Sequence, residues 1–186
     1  MKLNKNLITN IIFTILCTLP TPALSAEKIT FFKNVFSRSV SVKELEDFSK
    51  TGKAKGLLQK LLKNQNKQLI RNHLTKEYKA PIILTSRLMY SQIGEVILTR
   101  VSKIIYPYKI RDESIGVLAI KAATIKAIRE SDESINLINF LKSYPSEVIA
   151  IDVTELAKVL NKVESMSELV KFFTSSPLEN LKSQQG

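Results

Sequence analysis

DESIGVLAIKAATIKAIR, residues 112–129, is the stretch whose reading decides the fold. Asp112 and Glu113 place carboxylates at the positive end of a helix dipole, and the spacing predicts one long helix through Arg129. Ile115, Leu118, Ala119, Ala122, Ile125 and Ala127 leave that helix a narrow face for close packing, and Gly116 reads as a close-packing position rather than a ligand cradle. The chain around it lacks the alternation of strands and helices that a parallel sheet requires, so a mainly helical domain is expected.

Working upstream, residues 28–40 are rich in β-branched and aromatic side chains and are interrupted at Lys33-Asn34, which predicts a small hairpin. Ser41-Val-Lys-Glu44 is a capping box: the Ser41 hydroxyl can accept from the third helical amide while Glu44 reaches back. It opens a helix with Leu45 and Phe48 inward and Gly52 as the left-handed stop. Residues 53–79 have helical spacing at Leu57, Leu58, Leu61, Leu62, Leu69, Ile70, Leu74 and Tyr78, with a break near Asn64-Gln65-Asn66. Pro81 opens a helix pair over 83–90 and 91–105, with Ser91 as the cap between them and Pro107 as the stop; Gly94 is a second close-packing glycine. Downstream, Ser134 is expected to start a helix with Ile135, Leu137, Ile138 and Leu141 inward. Residues 148–151 read as a strand that pairs with the hairpin, and Asp152-Val-Thr-Glu155 as a second cap. Helices over 153–163 and 167–173 complete the core. The expected fold is therefore mainly α, a multi-helix orthogonal bundle with a two- to three-stranded β element made from the amino-terminal hairpin and the late short strand.

With 186 residues, 44% hydrophobic and 24% charged, the composition is that of one globular domain. Residues 1–26 have a basic start at Lys2 and Lys5, an apolar run from Leu7 to Leu19, and small residues to Ala26, the layout of a cleavable signal peptide. The run carries Thr9, Asn10 and Thr14 and falls short of the roughly 20 apolar residues that cross a bilayer. Export to the periplasm or beyond is expected, with one helical domain over 27–175 and a polar tail over 176–186. Cys17, the single cysteine, lies in the apolar run behind Leu16, so neither lipidation nor disulfides nor thiolate ligands are expected.

Catalytic chemistry is not legible. A nucleophile elbow needs glycines around its serine, and none of Gly52, Gly56, Gly94, Gly116 and Gly186 flanks one in that pattern. His73 is the sole histidine and reads as a helix-surface residue, with Glu77 the one nearby acid at helical spacing. Glu44, Glu46 and Asp47, Asp112-Glu113 and Asp132-Glu133 sit near helix ends, where capping and dipole compensation explain them. No cofactor and no metal are expected.

Charge is the strongest signal from the residues themselves. Residues 27–111 hold 18 Lys and Arg against 6 Asp and Glu, a net +12, whereas residues 112–186 hold 8 against 11, a net −3. Lys60, Lys63, Lys67 and Arg71 recur every three or four residues and share one face if the helix runs through Asn64–Asn66. Such a face suits an anionic membrane, a polyanion or an acidic protein partner, or simply keeps the domain solvated. Nucleic acid is not expected as a partner, because export removes the usual target and aromatics are not interleaved for stacking.

Several segments carry a family resemblance. The stretch 36–48 (FSRSVSVKELEDF) with Thr51-Gly52, residues 88–95 (LMYSQIGE), residues 135–141 (INLINFL), Tyr144-Pro145 and residues 149–153 (IAIDV) occur in order and together resemble the cyanobacterial domain-of-unknown-function family numbered fourteen-hundred. The resemblance implies a helix-dominated exported module found in front of α/β-hydrolase domains, and carries no catalytic residues. The expected function is a non-catalytic binding module, an accessory or regulatory partner of an α/β hydrolase on a separate chain. Two other readings follow: anionic-surface binding through the four basic residues, or a hydrolase in its own right, as the family label suggests.

Overall fold

The computed structural model describes residues 25–160. The expected signal peptide up to residue 24, the helix over 167–173 and the polar tail lie outside the described residues. In chain order the elements are β1 (Lys28–Lys33), β2 (Phe36–Ser41), α1 (Val42–Thr51), α2 (Gly56–Leu61), α3 (Lys67–Thr75), β3 (Tyr78–Lys79), α4 (Ile82–Met89), α5 (Gln92–Ile104), β4 (Ile105–Pro107), α6 (Glu113–Glu130), β5 (Ser134–Ile135), α7 (Leu137–Ser143), β6 (Val148–Asp152) and α8 (Val153–Leu160). The fold is mainly helical with a small sheet, as the periodicity predicts.

β1 and β2 form the hairpin, turned at Asn34, which takes φ 56° as asparagine tolerates. β6 runs parallel to β1 with Ile29 opposite Ile149, so the late strand does join the hairpin. The sheet order is β2-β1-β6-β4. The capping box closes as expected: Ser41 N donates to Glu44 Oε2 at 3.2 Å and Lys43 N donates to Ser41 Oγ at 3.2 Å. Gly52 ends α1 at φ 71°, its N–H donating to Phe48 O at 2.7 Å. Asp152 caps α8 by accepting from Thr154 N and Glu155 N at 2.9 and 3.1 Å.

Two apolar clusters make the core. One joins Ile29, Val42, Ala123, Leu141, Tyr144 and Ile149 between the sheet, α6 and α7; the other joins Val40, Phe48, Leu58, Leu62, Leu74 and Ile138 under α1, α2 and α3. Phe31 and Leu45 pack against both clusters and so make them one continuous interior. Full burial of a side chain such as Phe48 or Ile149 stabilises the fold by about 1.5–3 kcal/mol.

Four local expectations are corrected. The helical spacing read over 53–79 stops at Thr75, and Tyr78–Lys79 is a strand. The helix expected over 91–105 ends at Ile104, because Ile105 takes extended backbone (φ −124°, ψ 122°) and 105–107 pair with β6, which adds a strand to the β element. Ser134 does not start a helix. Asp132 and Glu133 turn through φ 49° and 54°, Ser134–Ile135 pairs with Tyr78–Lys79, and α7 begins after Asn136, whose side chain accepts from Asn139 N at 2.8 Å. Finally, the apolar face of α6 is rotated from its expected position. Gly116, Val117, Ala119, Ile120, Ala123, Ala127 and Ile128 are buried, where α5, α7 and β4 pack, while Ile115, Leu118 and Ala122 face outward.

Candidate functional site

The four basic residues are divided by the fold. Leu62 ends α2 and Asn66 caps α3 by accepting from Leu69 N at 3.0 Å, so the helix does not run through Asn64–Asn66 and Lys60 and Arg71 stand on different helices. Arg71 is engaged structurally. Its Nε donates to Ser49 O at 2.6 Å and its Nη2 to Lys50 O at 2.7 Å. Those carbonyls belong to the last turn of α1, where helix geometry leaves them without partners and the dipole favours a cation. Lys60, Lys63 and Lys67 are exposed and make no ion pair among the described residues.

His73 is exposed on α3, and no serine or carboxylate hydrogen-bonds to it among the described residues. Glu77 lies beyond the end of α3, so the helical spacing that paired it with His73 is lost. The carboxylates serve as caps and ties. Glu46 accepts from Lys50 Nζ at 2.8 Å and Lys142 Nζ at 3.0 Å, joining α1 to α7, and these bonds, Lys50 first, hold its carboxyl below the usual range. Asp112 caps α6 through Ser114 and Ile115, and the Ser114 hydroxyl is the main reason its carboxyl is also lowered. Glu133 Oε1 accepts from Ile82 N at 3.2 Å and so caps α4 from 51 residues away in the chain. Among the described residues no group of three His, Cys, Asp or Glu could hold a metal ion.

Lys121 is the exception among the lysines. It is buried on α6, pairs with Glu95 of α5, and its Nζ sits 4.1 Å from the centroid of the Tyr90 ring. The pair fastens α6 to the junction of α4 and α5. Arg111 makes a comparable surface tie, with Nη2 2.9 Å from Asp152 Oδ2 and its guanidinium over the Tyr106 ring, beside a polar cleft of about 630 Å³.

The feature best suited to binding is an apolar groove of about 460 Å³ between the exit of β4, the first half of α6 and the turn entering β6. Local chemistry builds each wall. Tyr108 N donates to Val148 O at 3.0 Å, prolonging the pairing of β4 with β6, and Ile110 N donates to Pro107 O at 3.0 Å in a tight turn. Pro145 ends the extended segment after α7, and Ser146 Oγ donates to Val148 O at 2.9 Å, which occupies that hydroxyl. Tyr108, Ile110, Ile115 and Leu118 are 49%, 49%, 38% and 58% exposed, with Lys109 and Glu147 beside them. A groove of this size and lining accepts an apolar ligand or side chains. Sequence reasoning singled out the α6 residues but missed 107–110, since nothing in the local pattern showed that the chain leaves α5 directly into a strand.

A family model described as "Alpha/beta hydrolase of unknown function (DUF1400)" matches residues 25–152, from the first described residues through β6. No curated protein and no solved structure matches the chain.

Proposed function

Because the chain belongs to the family described as alpha/beta hydrolase of unknown function, we propose that it is an exported, non-catalytic binding module that serves an α/β hydrolase as an accessory or regulatory partner. The observation that carries this reading is the apolar groove: large apolar side chains are exposed side by side on a domain whose described residues share one continuous core, and such patches mark contact sites. The described residues hold one parallel strand pair, β1 with β6, rather than the doubly wound sheet on which a hydrolase mounts its nucleophile. His73 lies outside the groove lining and pairs with no acid among the described residues, which favours binding over turnover.

The test uses the exported chain with α/β hydrolases exported by the same organism. Association measured by biolayer interferometry should persist between low and high salt and be lost in Leu118→Glu. Ester turnover by the chain alone, abolished by substituting His73 or one serine, would overturn the reading. A second reading rests on Lys60, Lys63 and Lys67, exposed and without ion pairs among the described residues in the half that carries net +12. It predicts vesicle binding that falls steeply with salt and fails in the triple Gln variant, because exposed charges are screened within about 10 Å at 0.1 M ionic strength.

A further inference from the structure

We propose that the polar cleft beside Arg111 is a binding site for a neutral saccharide, with the Tyr106 hydroxyl as its innermost hydrogen-bonding group. The cleft shares only Tyr108 with the lining of the apolar groove, and the proposal does not depend on the hydrolase-partner reading. Tyr106 carries the argument. It is 6% exposed on β4, and its hydroxyl makes no hydrogen bond among the described residues. Buried hydroxyls nearly always have a partner, because one left alone forfeits its bonds to water. Among the described residues the Tyr144 hydroxyl is the one that is both sealed from solvent and unbonded, so the Tyr106 oxygen, equally unbonded, still opens on free space. Tyr106, Arg111 and Glu155 line both the cleft of about 630 Å³ and an adjoining one of about 390 Å³. The phenol therefore stands where the two cavities meet, with a hydrogen bond to offer and nothing in the protein to take it.

The rest of the lining specifies the ligand's chemistry. Its ions are already matched: Asp152 accepts from Arg111, Glu155 pairs with Lys158, Glu113 pairs with Lys103, and Asp112 caps α6. The neutral groups are unused. The side chains of Asn34, Tyr108 and Thr154 make no hydrogen bond among the described residues, and the Arg111 guanidinium has N–H donors beyond the one at Asp152. Burial raises the Tyr106 phenol above its ordinary range, so it meets a ligand as an intact O–H, donor and acceptor at once. Phe32 and Tyr108 stack alongside with ring centroids 5.6 Å and planes 14° apart, and Tyr108 is half exposed. The electron-rich face of an aromatic ring attracts the C–H side of a sugar ring, while the sugar's hydroxyls need the mixed donors and acceptors that these residues hold. The cleft's 630 Å³ falls within the range of small-molecule sites, about 300–1,000 Å³. An apolar ligand would leave the phenol unbonded, and an ion would have to break a pair; a neutral polyhydroxylated ring does neither.

The experiment is isothermal titration calorimetry of the exported chain with the neutral trisaccharides of glucose, xylose and N-acetylglucosamine, with trigalacturonate as an anionic and spermidine as a cationic comparison. At least one neutral trisaccharide should bind saturably with Kd below about 1 mM, and more tightly than either charged probe. Tyr106→Phe keeps the ring and its contact with Arg111, and should weaken that binding about three- to tenfold. It should leave Tm unchanged or higher, since the hydroxyl holds nothing in the free chain. Tyr108→Ala should weaken binding through loss of the stacking surface, and Leu118→Glu in the apolar groove should not alter it. Failure of all the neutral trisaccharides to bind, tighter binding of a charged probe, or equal affinity for Tyr106→Phe and the parent chain overturns the proposal. So does sugar binding that is lost in Leu118→Glu, which would place the ligand in the apolar groove. Hydrolase association is read at Leu118 and stands or falls separately.

Discussion

Gly94 is the position at which a single methyl group should cost the fold most. It lies in the first turn of α5, and an added Cβ would stand 1.8 Å from Leu88 O, 2.8 Å from Leu88 C and 3.1 Å from Met89 Cα. These are backbone atoms at the end of α4, so no side chain can swing aside. Ordinary contact begins at 3.4 Å, and 3.4 less 1.8 means that one helix must retreat by about 1.6 Å along that line. The retreat also pulls on Ser91, whose Oγ donates to Leu88 O at 2.7 Å and accepts from Gly94 N at 3.1 Å. Overpacking at the upper end of its usual range costs about 3 kcal/mol, the loosened cap adds about 1, and the gain in helix propensity returns about 1. Gly94→Ala should therefore destabilise by about 3 kcal/mol and lower Tm by about 6–12 °C for a domain of this size. Gly116→Ala gives the comparison. Its Cβ would meet Ser102 Cβ at 2.8 Å, an atom the backbone holds in place, but 3.4 less 2.8 asks for a shift of only about 0.6 Å, and the net loss should be smaller, about 1–2 kcal/mol. Thermal unfolding followed by far-UV circular dichroism measures both. An unchanged or raised Tm for Gly94→Ala would refute the close crossing of α4 and α5.

Three further outcomes follow from side chains with defined partners. Arg71→Gln should destabilise by about 1.5–3 kcal/mol through loss of two charge-assisted bonds to the end of α1, whereas Lys60, Lys63 and Lys67 to Gln together should leave Tm nearly unchanged; chemical denaturation of both variants decides. Tyr144→Phe should be neutral or stabilising, because the Tyr144 hydroxyl is buried without a hydrogen-bond partner among the described residues. Burial raises the Tyr144 phenol above its ordinary 10, so the fold keeps its stability below pH 10 and loses some of it as pH rises from there toward the raised value; Tyr144→Phe should lessen that alkaline loss in Tm-against-pH scans. Glu46 titrates below its ordinary 4.5, so its contribution is present above that pH and fades as pH falls through the lowered value, and Glu46→Gln should flatten the acid limb of the same scans.

What was legible in the sequence was whatever local chemistry alone decides. The Ser41–Glu44 box, the Gly52 stop, the Asp112 and Asp152 caps and the Asn34 turn each satisfy their own backbone within a few residues, so no distant contact was needed to read them. The parallel partnership of β1 with β6 was readable as a pairing because both strands are apolar and β-branched. What escaped depends on distant neighbours. Ile104 and Ile105 fit a helix or a strand, and the open edge of β6 decides the matter at Ile105. Ser134 has the chemistry of a cap, but Tyr78–Lys79 offers its backbone a strand partner and Asn136 takes over the capping. Arg71 belongs to an apparent basic series by spacing and to the end of α1 by geometry, because its partners lie 22 and 21 residues away in the chain. The groove is illegible for the same reason: its three walls come from separate segments brought together by the sheet.

α6 is apolar on nearly every side, which ordinarily marks a helix enclosed by its own protein. Here Ala123 and Leu118 share that character with opposite surroundings, Ala123 at 0% exposure in the core and Leu118 at 58% in the groove wall. A core residue and a docking residue differ in what a charge does to them. Ala123→Glu buries an unpaired carboxylate and should prevent folding, whereas Leu118→Glu places its carboxylate in water and should change stability by no more than about 0.5 kcal/mol. If Leu118 exists to be covered by a partner protein, the same substitution should abolish association while the melting curve stays in place. That separation of binding from stability is what a contact surface produces and what packing within the chain cannot. A Leu118→Glu chain that unfolds would place Ile115, Leu118 and Ala122 in the interior and remove the basis for docking there.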